Sequence, residues 1–325
     1  MTPQLRFSTD NEPGLTRERR GRGFSFRNPR KARVRDAVQI RRIRSLAIPP
    51  AWTRVWICRD DRGHLQATGR DARGRKQYRY HPRFREQQEE SKFARLAEFG
   101  EALPTIRRRV RAHLALPGLP REKLLAMIVR LLERTSIRVG NEEYARTNES
   151  FGLTTMRNRH VRIAGAHIEF DFRGKSRKSH RIVLKDPRLA ELLRECQDLP
   201  GYELFQYREE DGTLRSVDSA DVNGYLKEIS GREITTKDFR TWAGSLCAAN
   251  YLARTEGIVT RSLVKDAIVA ASRRLGNTPT ICRKSYVHPK VQDAATWNNR
   301  EWMKRRGRAI PGVRRDERLL LRLLG

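Results

Sequence analysis

Five polar residues in this chain have types and placements that could act together on a phosphodiester. Tyr286 closes RKSY (residues 283–286), flanked by Arg283 and Lys284, and follows a break, LGNTP (275–279), that carries Asn277. Arg138 lies in IRVGN (137–141) at a helix-to-turn junction, Arg240 in KDFRTW (237–242) near a helix N-terminus, and Lys175 at the tip of a GKSRKS turn (174–179). A phenol, with a pKa of about 10 in water, becomes a nucleophile as it loses its proton. Arginine forks suit the charge that a pentavalent phosphorus spreads over its non-bridging oxygens, and an ammonium can hand a proton to the departing oxygen. Exchanging one phosphate ester for another of similar energy needs no fuel. The sequence holds no Walker A loop, no GxGxxG and no Asp/Glu grouping of the kind that binds Mg²⁺, so neither ATP, a metal nor another cofactor is expected. Each residue also has a plainer reading. Lone tyrosines are mostly half-buried core residues, and a lysine at a turn is normally solvated.

Those positions are set by the elements around them. Leu263, Val264, Ala267, Ile268, Ala271 and Leu275 recur at helical spacing, and Gly276 stops that helix. Thr278 then caps a second helix with Pro279 at its first position, which holds Asn277 at the junction and puts Tyr286 about two turns along. Leu124, Leu125, Ile128, Leu131 and Leu132 predict an amphipathic helix that ends at SIRVGN (136–141). HVRI, HIEFDF and SHRIVL, between residues 160 and 184, predict three strands with Lys175 on the second turn. Asp218 or Ser219, and later Thr236, read as caps of two further helices, the second turning Phe239, Trp242 and Leu246 inward.

Upstream, Val55 and Ile57 face Leu65 and Ala67 across a Gly turn, which predicts a hairpin. GRDARGRKQYRYHPRF (69–84) interleaves cations with Tyr78, Tyr80 and Phe84. It reads either as a basic strand in a DNA groove, with Arg75 among the phosphate contacts and Lys76 or Gln77 near base edges, or as an exposed strand with its aromatics in the core. LPGLP (116–120) interrupts the helices that follow. The fold class is α+β: a basic, mobile arm over 1–20, a small β-rich N-terminal domain over 21–90, and a larger, mainly α domain over 91–325 with a small three-stranded sheet.

The 325 residues include 69 Lys and Arg against 38 Asp and Glu, a net charge of +31 that marks a polyanion partner. Arginine dominates, and its planar fork suits phosphate, so nucleic acid leads and an anionic membrane is a distant second. The arm assignment rests on residues 1–45, which carry 13 Arg and Lys against 4 Asp and Glu. Cys58, Cys196, Cys247 and Cys282 lack CxxC or His-paired spacing, so neither disulfides nor a zinc site is expected. No apolar run approaches the roughly 18 residues of a spanning helix and no secretory leader opens the chain, which predicts a cytoplasmic protein. The tail turns basic again in RRGRAIPGVRRDER (305–318) and ends in LLLRLLG (319–325), predicted as a last docked helix.

Taken in order, IRVGN, FRGKS, KDFRTW, LGNTP and RKSY resemble the motifs of type IB DNA topoisomerases of the small bacterial and poxvirus class. The resemblance runs from about residue 40 to 292 and includes GRDARGRKQYRYHP. It implies a catalytic fold shared with tyrosine recombinases, with Tyr286 forming a 3′-phosphotyrosyl bond, Arg138 and Arg240 holding the scissile phosphate, and Lys175 acting as general acid on the 5′-oxygen. Asn277 stands where viral members have histidine, and an amide can donate a hydrogen bond there but cannot titrate. Ser176 replaces a viral aspartate. Lys237, Tyr144 and Tyr78 fall at DNA-contact positions of the family, beside Tyr80, Arg75, Lys76 and Gln77 of the basic strand. The implied partner is double-stranded DNA, gripped by a monomer that closes as a clamp. Two rivals remain: a tyrosine recombinase, and a non-catalytic basic nucleic-acid-binding protein.

Overall fold

Period-two runs near the N-terminus and 3.6-period runs beyond residue 90 build two different kinds of layer. The structure, a computed structural model, describes residues 4–21, 23–209, 211–296 and 310–325. It divides into two compact units, Met1–Ser91 and Lys92–Gly325. Among the described residues no helix is long and apolar enough to cross a membrane. Residues 1–3 of the expected arm and 305–309 of the basic tail lie outside the described residues.

The first unit is an antiparallel sheet of β1 (Leu15–Arg20), β2 (Gly23–Arg27), β3 (Thr53–Ile57), β4 (Leu65–Arg70) and β5 (Lys76–Tyr80), in the order β2-β1-β3-β4-β5, with α1 (Ala37–Ser45) packed on it. Leu15, Phe26, Ile43, Val55, Ile57 and Ala67 form its core. The β3–β4 hairpin pairs Ile57 with Ala67, as the alternation predicts.

The arm expected over residues 1–20 is corrected. Leu15 is buried opposite Ile57, and Ser8 is buried with its hydroxyl donating to the Leu65 carbonyl at 3.0 Å. The Arg17 guanidinium donates to the carbonyls of Ile48, Pro49 and Trp52 at 3.1, 3.0 and 2.6 Å and lies 4.1 Å from the Phe24 ring centroid. A dense run of arginines reads as solvated chain, yet one of them ties down a distant loop while a single leucine docks the strand. On β5 the aromatics turn outward: Tyr78 and Tyr80 are 47% and 39% exposed and stack in parallel at 6.0 Å. The reading that placed them in the core fails.

α2 (Pro82–Ala94) carries the chain into the second unit. There α3 (Leu96–Leu114), α4 (Arg121–Thr135), α7 (Ser219–Ser230), α8 (Thr236–Arg254) and α9 (Arg261–Leu275) pack around one core. α5 (Glu142–Asn148) precedes the antiparallel sheet β6 (Val161–Ala164), β7 (His167–Arg173) and β8 (Ser179–Lys185). α6 (Pro187–Gln197) and the ribbon β9 (Gln206–Arg208) with β10 (Leu214–Ser216) lead on to α7, and α10 (Pro279–Ser285), α11 (Pro289–Gln292) and α12 (Arg315–Leu324) end the chain. α4 is more central than its amphipathic pattern suggests: Ala126, Met127 and Val129 are buried too, as is Lys123, whose ammonium donates to the Gly118 carbonyl at 2.7 Å. Phe239 and Trp242 of α8 meet Phe99 of α3 at 4.9 and 5.7 Å between ring centroids. The α8 cap is Thr235, one residue before the expected Thr236, because Asp238 accepts hydrogen bonds from both its N–H and its hydroxyl.

The closing helix is pinned by charge as well as by Leu320 and Leu323. Glu317, 1% exposed, binds Arg107 of α3 through both oxygens, and Arg107 also reaches Glu133 of α4 at 2.8 Å. Removing one member of a buried ion pair leaves the other desolvated and underpaired. Glu317→Ala is therefore expected to lower unfolding stability by on the order of 3 kcal/mol, read as the shift of the urea transition of the full chain. A shift below about 1 kcal/mol would show that α12 is held by its leucines alone.

Candidate active site

Tyr286 is carried at the C-terminal end of α10 rather than within it, with φ −136°. Gly276 (φ +62°) ends α9 in the left-handed conformation that glycine adopts without strain, and the Thr278 hydroxyl accepts from the Ile281 N–H at 3.3 Å to start α10. The short helix is pressed onto α8. A Cβ at Gly244 would lie 2.6 Å from the Tyr286 carbonyl oxygen, so that approach needs a glycine. Ser245 completes the seat: its hydroxyl donates to the Tyr286 carbonyl at 3.1 Å and accepts from the His288 N–H at 2.9 Å.

Arg240, one turn into α8, is 6% exposed. One guanidinium nitrogen donates to the Ser136 carbonyl and the other to the Leu275 carbonyl, the latter at 2.8 Å. Both acceptors sit where a helix ends, α4 at the left-handed Ser136 (φ 57°) and α9 at Leu275. A helix C-terminus offers free carbonyls and a partial negative charge, which suits a buried cation. The Arg240 guanidinium then lies 5.1 Å from the Tyr286 ring centroid, and its Nε has no hydrogen-bond partner. Burial first, and the charge of Arg138 second, bring its pKa down to about 10.

Arg138, two residues past the α4 cap, donates from Nη2 to Asn277 Oδ1 at 2.6 Å. The opposite amide orientation would set an N–H₂ against a guanidinium, so the chemistry of the pair fixes the assignment. The buried Asn277 Nδ2 is thereby left without a partner. Lys175 lies on the turn between β7 and β8, exposed, where Ser176 and Arg177 take φ of 64° and 57°. Burial raises the pKa of the Tyr286 phenol, but the charge and hydrogen bond of Arg240, then the charges of Arg138 and Lys175, outweigh it, and the pKa falls below the ordinary tyrosine value. The five residues singled out from sequence thus lie in one neighbourhood. A phenol made more acidic stands among three cations and an amide donor with a free hydrogen.

Of the contact residues, Lys237 is exposed in the first turn of α8, and Tyr144 is 41% exposed on α5, whose cap Asn141 accepts from the Tyr144 N–H. The basic strand of the first unit does not offer its polar side chains free. Arg75 binds Asp71 at 2.6 Å, Gln77 donates to Asp71 at 3.0 Å, and Lys76 binds Asp10 at 2.6 Å. Sequence reading placed Lys76 and Gln77 correctly on a strand, but Arg75 closes the turn before it, and Asp10 pairs across a fold that reading could not trace. It also missed His180, which faces Phe172 across the β7–β8 hairpin next to Lys175. Counting the strand register back from that turn was the one signal that could have found it.

Comparison with known sequences gives the family of the chain. Residues 81–308 match the family described as eukaryotic DNA topoisomerase I, catalytic core, and residues 23–71 match bacterial DNA topoisomerase IB, N-terminal domain. DNA topoisomerase 1B of Acanthamoeba polyphaga mimivirus is 33% identical over 288 residues, 84% of this chain and 85% of the relative. DNA topoisomerase 1B of Vaccinia virus (strain Copenhagen) is 25% identical over 228 residues, 67% of this chain and 68% of the relative. A strand-rich N-terminal unit joined to a helical unit with a small sheet is the architecture of a topoisomerase IB. The chain belongs to the type IB DNA topoisomerases, in their small bacterial and poxvirus-like class, and is an isomerase. Both the recombinase and the non-catalytic reading are thereby set aside.

If cations lower the Tyr286 pKa, removing one must raise it. In Arg138→Ala the phenol is expected to titrate at higher pH, seen by ultraviolet titration of tyrosinate as the difference between each protein and its Tyr286→Phe counterpart. An unmoved midpoint would mean that the Arg138 charge does not reach the phenol.

Proposed function

We propose that this enzyme relaxes supercoiled duplex DNA by transient cleavage of one strand through Tyr286. The phenolic oxygen attacks the scissile phosphorus and its proton passes to solvent. A 3′-phosphotyrosyl bond forms, the bond from phosphorus to the 5′-oxygen breaks, and Lys175 protonates that oxygen. Arg138, Arg240 and the free Asn277 Nδ2 donate to the non-bridging oxygens, where charge accumulates in the transition state. The unpaired Asn277 amide beside a lowered tyrosine pKa is the observation that carries this reading, since a phosphate oxygen supplies the acceptor the amide lacks.

The free 5′ end then rotates about the intact strand, and attack of the 5′-hydroxyl on the phosphotyrosine restores the backbone. Because one ester replaces another, the cycle runs without ATP. The charge at phosphorus is met by guanidinium and ammonium groups, so the proposed cycle calls on no metal either. Lys237 and Tyr144 contact the backbone near the cut. Tyr78, Tyr80, Arg75, Lys76 and Gln77 contact the duplex, the last three by trading Asp71 and Asp10 for phosphate or base. A monomer that closes round the duplex, working where the chromosome lies in the cytoplasm, completes the proposal.

Tyr286→Phe is expected to bind duplex DNA with unchanged affinity yet to lose both relaxation and the covalent adduct trapped by denaturant. Wild-type enzyme should relax positively and negatively supercoiled plasmid in EDTA without ATP. Relaxation by Tyr286→Phe, or its loss in EDTA, would overturn the scheme.

A further inference from the structure

Lys175 sits on a turn with little to hold it: residues 175–179 are all exposed, and two of them carry positive φ. A proton donor must stand within about 3 Å of the oxygen it serves, and a misplacement of about 1 Å can cost on the order of 10²-fold in rate. Something must therefore fix this turn when the phosphate arrives. The His180 ring is placed to do so. It lies directly across the hairpin from Phe172 and stacks on that ring at 5.3 Å with 20° between planes. A Cβ built on Gly174 would stand 2.6 Å from His180 Cδ2, and one built on Gly276 would stand 2.6 Å from His180 Cε1. The ring is thus wedged between the residue before Lys175 and the residue before Asn277, with glycine on both sides because nothing larger fits.

We propose that His180 is a positioning residue for the cleavage step, a flat spacer that seats the Lys175 turn against the helix break carrying Asn277. The inference rests on the reading of Lys175 as the proton donor. Its electrostatic setting favours a spacer over an acid. Burial, then the charges of Arg138, Arg240 and Lys178, push the His180 pKa below its ordinary value, so the ring sits neutral among cations. It adds no charge to compete with the two arginines for the phosphate.

A donor role for Lys175 can be bypassed chemically, which separates positioning from general damage. When sulfur replaces the 5′-bridging oxygen, the leaving group is a thiolate that needs no proton. Single-turnover cleavage is measured on the oxygen and sulfur substrates, with Lys175→Ala as reference. His180→Ala is expected to slow the oxygen substrate on the order of 10²-fold and the sulfur substrate by less than about threefold, with DNA affinity unchanged. Gly174→Ala has φ −99°, which any residue adopts, and its new methyl displaces the ring. It should give the same pattern, and it keeps the test open if His180→Ala folds poorly. His180→Phe, which fills the slot with a flat ring, should stay near wild type. Equal slowing on both substrates, or no slowing on either, overturns the proposal. Should Lys175→Ala itself be slowed equally on both substrates, the donor assignment fails instead.

Discussion

A buried guanidinium with no carboxylate beside it governs this structure. Among the described residues Arg240 is held by two carbonyls, one at the end of α4 and one at the end of α9. A carboxylate would neutralise it and spend its charge inside the protein. Helix ends satisfy its hydrogen bonds while leaving most of the positive potential to act on Tyr286 and on whatever anion approaches. Arg138 shares that economy of charge, since its partner is the amide of Asn277. Among the described residues neither Arg138 nor Arg240 pairs with a carboxylate, so the site stays positive, and the lowered Tyr286 pKa is the consequence.

That arrangement sets demands on the rest of the second unit. Two helices must end within reach of one arginine, so α4 and α9 are stopped by left-handed residues, Ser136 and Gly276. α8 must lie close under α10, hence Gly244 and the Ser245 hydroxyl beneath Tyr286. Repulsion among the cations is opposed by packing at a distance: Phe99 against Phe239 and Trp242, and the Arg107, Glu133 and Glu317 cluster that pins α12. Some basic residues elsewhere do find carboxylates, as Lys76 does with Asp10 and Arg75 with Asp71. Positive charge is thus partly masked at the start of β5, by Asp71 and Asp10, and left unmasked around the tyrosine.

Much of this was readable from local signals. The Gly276, Thr278 and Pro279 break, the turn that carries Lys175 and the hairpin of β3 with β4 depend on neighbours in the chain. Glycine conformation, capping and period-two alternation act over a few residues, so a linear reading captures them. The same locality explains the errors. Arg17 looked like part of a solvated arm because its partners, the carbonyls of Ile48, Pro49 and Trp52, lie more than thirty residues on.

By itself, then, the sequence determined which chemical groups the protein owns and where each sits on its own helix or turn: a phenol after a helix break, arginines at helix edges, a lysine on a hairpin. Only the tertiary structure decided their states. That Arg240 has no carboxylate partner among the described residues, that the Asn277 amide nitrogen is buried without a hydrogen-bond partner, and that His180 fills the slot between Gly174 and Gly276 all depend on contacts between segments distant in the chain. Charge, acidity and hydrogen-bond direction are properties of surroundings, and surroundings exist only once the chain has closed on itself.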